Sequence, residues 1–193
     1  MRKFIVILMM FATLSAVADE RGEKRLEAIS RHYSSLGRYS VSFVMRVGDE
    51  QHSGTMLVDG KNSYLKSADL EVFIIDSLRY EVRGEAKEII LDRADVYEKE
   101  LLNSLNGLSH IATDYTIEES VESGCVALRL TPKKSGEAIY VVTTPDGQSV
   151  AKLQYGAGEN RVEISVKSCQ TTTQLLPIFS KEQYKGFELI DFR

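Results

Sequence analysis

Past its first eighteen residues the chain has no apolar run approaching the roughly 20 residues that a helix needs to cross a bilayer, which excludes a membrane-spanning helix there. Basic charge is also short: 24 Lys and Arg stand against 28 Asp and Glu, a formal net charge of −4. Proteins that grip a phosphate backbone need a basic face, so nucleic acid is excluded as a partner. Only three prolines are present, with no low-complexity tract and no internal repeat, which argues against a linker protein and against a solenoid. His32, His52 and His110 stand singly, and Cys125 and Cys169 are far apart in sequence, so the clustered ligand spacing of a zinc site is missing.

The familiar catalytic signatures are missing as well. No H-E-x-x-H, no G-x-S-x-G elbow and no G-x-x-x-x-G-K-[ST] loop occurs. Gly156-Ala157-Gly158 falls between two predicted strands, with no helix after it to present N–H groups to a phosphate, and reads as a hairpin turn. The carboxylate pairs Glu118-Glu119 and Glu98 with Glu100 read as solvated surface, and Cys125 has no neighbouring base to make it a nucleophile. A hydrolase would need converging groups that the sequence does not supply. The expectation is a protein that is not an enzyme and carries no cofactor or metal.

What is present begins at the start. Arg2 and Lys3, the apolar run from Phe4 to Leu14 and the small residues Ala16-Val17-Ala18 have the pattern of a secretory signal peptide, residues 1–18. Cleavage after Ala18 leaves residues 19–193 as one domain, first residue Asp19, with a formal charge of −6 once Arg2 and Lys3 are gone. No cysteine lies at the cut to accept a lipid anchor, so the product is expected to be exported and released. Outside the reducing cytosol Cys125 and Cys169 can either pair or remain thiols. A bond would close a loop of about 45 residues, worth roughly 4 kcal/mol if unstrained.

Leu26, Ile29, Tyr33 and Leu36 recur at helical spacing, with charges on the other face and Gly37 as a stop. The period then becomes two: Val41, Phe43, Met45 and Val47 mark one face of a strand. Short runs follow near residues 53–58, 63–66, 71–76, 78–83 and 88–92, separated by turn residues such as Asp59-Gly60. Asp95 as cap, Glu98 three residues on and the stripe Leu101, Leu102, Leu105 and Leu108 predict an inserted helix. Four more strands are expected near residues 126–132, 139–144, 150–155 and 161–167, the last with Val162, Ile164 and Val166 inward. A final apolar segment runs through Pro177–Phe179 and Phe187–Phe192. The pattern predicts a mainly β protein with a few α-helices: an incomplete antiparallel β-barrel, or strongly curved sheet, with helices covering its concave face.

Three local runs sit within this order of elements: Ser42-Phe43 followed by Gly54-Thr55-Met56-Leu57-Val58, then Leu130-Thr131-Pro132-Lys133, then Tyr184-Lys185-Gly186-Phe187-Glu188-Leu189-Ile190-Asp191. On these the chain, from about Leu26 to Phe192, resembles the periplasmic outer-membrane lipoprotein carriers, LolA and its relatives. The resemblance implies a soluble, monomeric periplasmic protein. Its hydrophobic cavity would take the acyl chains of a lipidated protein from an inner-membrane lipoprotein-releasing transporter and pass them to an outer-membrane acceptor. The alternative is a periplasmic module of the same half-barrel fold that senses lipid or lipoprotein. Candidate cavity residues are Phe43, Met45, Met56, Val58, Phe73 and Ile75 from the strands, with Leu101 and Leu105 from the inserted helix; core packing alone is the competing role for each.

Overall fold

In the computed structural model, residues 20–94, 114–134, 136–158 and 161–193 are described. The signal segment and the helix expected over 95–108 lie outside them. Helix α1 (residues 20–36) leads into twelve strands. The first six are β1 (Arg38–Val47), β2 (Glu50–Asp59), β3 (Asn62–Ser67), β4 (Leu70–Ile75), β5 (Leu78–Arg83) and β6 (Glu88–Arg93). After residue 113 come β7 (Tyr115–Glu122), β8 (Cys125–Pro132), β9 (Ile139–Thr143), β10 (Val150–Tyr155), β11 (Val162–Thr171) and β12 (Glu188–Asp191).

All twelve join one sheet in the order β12-β6-β5-β4-β3-β2-β1-β11-β10-β9-β8-β7, with β7 and β12 as its open edges. Neighbouring pairs are antiparallel except β12, which runs parallel to β6. Five connections are two-residue hairpins, which hold the register of the flanking strands. At Ser123-Gly124 both residues have positive φ, the conformation that a right-twisted hairpin requires and that glycine adopts at no steric cost.

Helix α1 buries Leu26, Ile29 and Tyr33 completely. Their spacing puts them on one face, and they join a single cluster with Tyr39, Val41 and Phe43 of β1, Val58 of β2, Ile117 of β7 and Leu128 and Leu130 of β8. The helix therefore packs on the sheet face that carries this cluster, and among the described residues it does so alone where several helices were expected. Gly22 makes the close approach at its N-terminal end: a Cβ there would collide with Ile117 Cγ2. No described helix is long and apolar enough to cross a membrane.

Two buried tyrosines tie helix to sheet. The Tyr33 hydroxyl accepts a 3.1 Å bond from the Val150 N–H, and burial pushes its pKa up to about 12, outweighing that bond. Tyr39 packs beside it at 5.5 Å and is raised by the same burial. A phenol that ionises later in the folded than in the unfolded chain adds stability that is whole below its ordinary pKa of 10.0 and is lost as pH climbs through about 12. For Tyr33 this is about 2–3 kcal/mol. Alkaline unfolding followed by tyrosinate absorbance should be less steep between those pH values in Tyr33→Phe; an identical slope would contradict the assignment.

The other face of the sheet is covered as well. After β11 the chain crosses the convex side of β3–β6, where Phe179 stacks on Tyr80 at 4.1 Å and meets Phe73 edge-on at 5.6 Å. A 3-10 turn (Lys181–Tyr184) adds Tyr184, whose ring stacks on Phe179 and whose hydroxyl, like that of Tyr64, donates to Glu71. Phe73, Val82 and Ile89 are buried beneath this aromatic layer.

Candidate functional site

An apolar cavity of about 150 Å³ opens on the concave face beside helix α1. Strands from both halves of the sheet build its wall: Val41, Phe43 and Met45 from β1, Met56 from β2, Leu65 and Ser67 from β3, and Leu70 and Val72 from β4. Ile164 and Val166 of β11 and Val150, Leu153 and Tyr155 of β10 close the opposite side. Arg79 of β5 completes it and is its one ionic residue. Phe43 crosses the sheet above Gly54, its register partner, where an added Cβ would collide with the ring. The absence of a side chain at Gly54 is what lets the ring lie flat against the wall.

At one end the cavity meets a polar groove. Met45, Ser67 and Leu70 line both, and the groove continues over His52, Asp69 and Arg83. Beyond β4 the concave face turns ionic. Arg79, Glu81 and Arg83 occupy alternate positions of β5 and share that side with Leu70, Val72 and Ile74, while Tyr80 and Val82 face the convex aromatic layer. Arg79 Nη2 donates to Glu81 Oε2, and Arg83 Nε donates to Glu81 Oε1 at 2.6 Å. Burial pushes the Glu81 carboxyl up, but the bonds and charges of Arg83 and Arg79 win and hold it below the usual carboxylate range.

The structure brings Phe43, Met45 and Met56 together in the cavity wall. Val58 shares their face but is fully buried in the cluster that includes helix α1. Phe73 and Ile75 lie on the convex side under Phe179, one residue out of phase with Ile74 and with Val72, which lines the cavity. Leu101 and Leu105 lie outside the described residues. Cys125 and Cys169 are free thiols. They sit on β8 and β11, with β9 and β10 between them. Three strand spacings of about 4.8 Å exceed the Cα separation a disulfide spans. Alternation also turns Cys125 away from the face of Leu128 and Leu130, while Cys169 packs against the inner cluster.

The remaining candidates for chemistry are dispersed. His32 meets Tyr33 edge-on, and His52 Nε2 lies 3.4 Å from Glu50. Among the described residues no group of three or more His, Cys, Asp or Glu could hold a metal ion.

No family model matches the chain, and no curated protein matches it. Solved structures do resemble it in fold. An uncharacterised conserved protein from Thermus thermophilus superposes with a TM-score of 0.54, covering 87% of this chain and 97% of that one at 9% identity. Further neighbours include the Pseudomonas aeruginosa MucA/MucB complex, with a TM-score of 0.48 and 14% identity over 86% of this chain. Another is a Vibrio parahaemolyticus domain assigned to outer membrane lipoprotein sorting, with a TM-score of 0.45 and 8% identity over 86% of this chain and 97% of that one. This chain spans 61% of the matched chain of the MucA/MucB structure.

Proposed function

We propose that this protein is an exported lipid-binding carrier that shelters an acyl chain of a lipidated protein in its concave cavity during passage from the inner to the outer membrane. The observation that carries the reading is the apolar cavity of about 150 Å³ on the concave face of an open sheet, walled by Phe43, Met45, Met56, Val72 and Ile164. Each methylene withdrawn from water is worth about 0.8 kcal/mol, so a chain crosses an aqueous compartment only when part of it is covered. A void of about this size lined by aliphatic and aromatic side chains stays dry and accepts a small apolar guest. It suits a segment of one chain, and a site that covers only a segment also releases it.

The resemblance to lipoprotein carriers supplies the rest of the reading. Residues 1–18 direct export and are removed, and residues 19–193 act as one soluble monomeric domain. The donor is an inner-membrane lipoprotein-releasing transporter and the recipient an outer-membrane acceptor. The test is mass spectrometry of an organic extract of the mature protein purified from the periplasm, with Nile red binding measured on the delipidated sample. Acylated molecules in the extract and saturable, enhanced fluorescence are the expected results. A clean extract with no dye binding would overturn the reading.

A further inference from the structure

The meander places the β1–β2, β3–β4 and β5–β6 turns at one end of the sheet, because every second connection of an up-and-down sheet falls at the same end. Residues at these turns line the polar groove of about 530 Å³ that adjoins the cavity. The lining changes from apolar to polar at Met45, Ser67 and Leu70, which serve both spaces. Past them stand Ala68, Gly84 and Ala86, whose small side chains leave the groove unfilled. The charged groups of the groove are unevenly committed. Arg83 bonds Glu81 at 2.6 Å and lies 4.0 Å from Glu88, and His52 stands 3.4 Å from Glu50. Asp69 and Glu85 are exposed, and their carboxylates have no hydrogen bond or ion pair among the described residues.

We propose that the groove seats the polypeptide adjoining the acyl chain of the guest, and that this stretch carries lysine or arginine. This rests on the acyl-binding reading and adds to it where the polar part of the guest lies and what charge it bears. An amphiphile whose apolar end lies against Phe43, Met56 and Ile164 must bring its peptide groups out where the wall turns polar, because a peptide group kept in the apolar cavity has no hydrogen-bond partner to offset its desolvation. The passage from cavity to groove defines the seat, and the charge selects what sits in it. A basic stretch is drawn to Asp69 and Glu85, and an acidic one is repelled. Each of these contacts is exposed and weak, so the groove orients the cargo while the cavity supplies the hold.

The experiment is displacement of Nile red from the delipidated mature protein at neutral pH and low ionic strength. The probes are dodecanol, which reports the cavity alone, and N-dodecanoyl peptide amides identical except for a Lys-Lys, Ser-Ser or Glu-Glu pair next to the acylated residue, all below their aggregation limits. The Lys-Lys peptide should displace the dye at concentrations roughly fivefold lower than the Ser-Ser peptide, and the Glu-Glu peptide should need more than either. The gap should narrow in high salt and close in the double variant Asp69→Asn with Glu85→Gln. A photoreactive benzoylphenylalanine placed directly after the pair should crosslink to residues 50–52, 68–70 or 83–86. Equal displacement by the three peptides, or crosslinks confined to other parts of the chain, overturns the proposal while displacement by dodecanol keeps the cavity reading standing. Failure of every probe to displace the dye overturns both. The wild-type comparison decides even if the double variant does not fold.

Discussion

Met45→Glu should abolish Nile red binding in a protein that still folds. Met45 is the residue at which the cavity and the polar groove meet, since it lines both. On the cavity side a carboxylate would face Phe43, Met56 and Ile164, where it has no solvent shell and no apolar guest can repay its desolvation. A guest would have to bind beside that charge or force it to protonate. Either route costs several kcal/mol and weakens binding by at least about a hundredfold. On the groove side the same carboxylate reaches water, and Met45 is only half-buried, so the fold tolerates the change. Met45→Leu is the matched control, which preserves volume and polarity and should bind as wild type. Dye titration beside a thermal melt measures both. A charged variant that binds like wild type would remove this cavity from the function, and one that melts far below the control would mean that Met45 serves the core.

Strand β1 shows why part of this was legible in the sequence. Its inward Val41, Phe43 and Met45 alternate with Ser40 and Ser42, and β1 has a packed face and a wetter one, so the period of two fixes the phase. In β4 the run Val72-Phe73-Ile74-Ile75 carries no such phase, because helix-side apolar groups cover one face and the C-terminal aromatic segment covers the other. A reader of the sequence must choose, and Phe73 and Ile75 are the convex pair. Strand β5 misleads further: its charged positions Arg79, Glu81 and Arg83 face the concave side, so the ordinary rule of charges outward selects the wrong face. Bulges shift the pattern elsewhere. The register of β10 slips between Val150 and Lys152, which puts Val150, Leu153 and Tyr155 on one wall at a spacing that strict alternation does not produce.

The two strands not expected from the sequence are the two edges. β7 carries Glu118, Glu119 and Glu122 and buries little beyond Tyr115 and Ile117, so its apolar pattern is two residues long. β12 finds its partner in β6, about a hundred positions earlier, and no local pattern encodes a parallel pairing at that distance. The two hairpin meanders between them, β1 to β6 and β8 to β11, are legible because within each a strand pairs with its neighbour in sequence and the turn residues set the register, whereas the β1–β11 pairing that joins them is non-local.

The convex layer makes the second large effect predictable. Phe179→Ala should cost about 2–4 kcal/mol, toward the lower part of the range for a buried phenylalanine because this ring is half-buried. The ring is the joint of the layer: it stacks on Tyr80 and Tyr184 and lies edge-on to Phe73, and its removal leaves a gap that those three rings cannot close without breaking the hydroxyl bonds of Tyr64 and Tyr184 to Glu71. The segment after β11 then keeps only the short parallel pairing of β12 with β6 and a few backbone bonds, among them Glu188 N–H to Lys87 carbonyl at 2.9 Å. Local opening should precede global unfolding. Limited proteolysis should therefore release a C-terminal fragment from the variant under conditions that leave wild type intact, and a denaturant titration should show the lowered midpoint. Nile red binding should persist, because Phe43, Met56 and Ile164 lie on the opposite face of the sheet from Phe179. Loss of dye binding together with the C-terminal clamp would show that the two faces are coupled; wild-type resistance and stability would show that the aromatic layer is not what holds the segment in place.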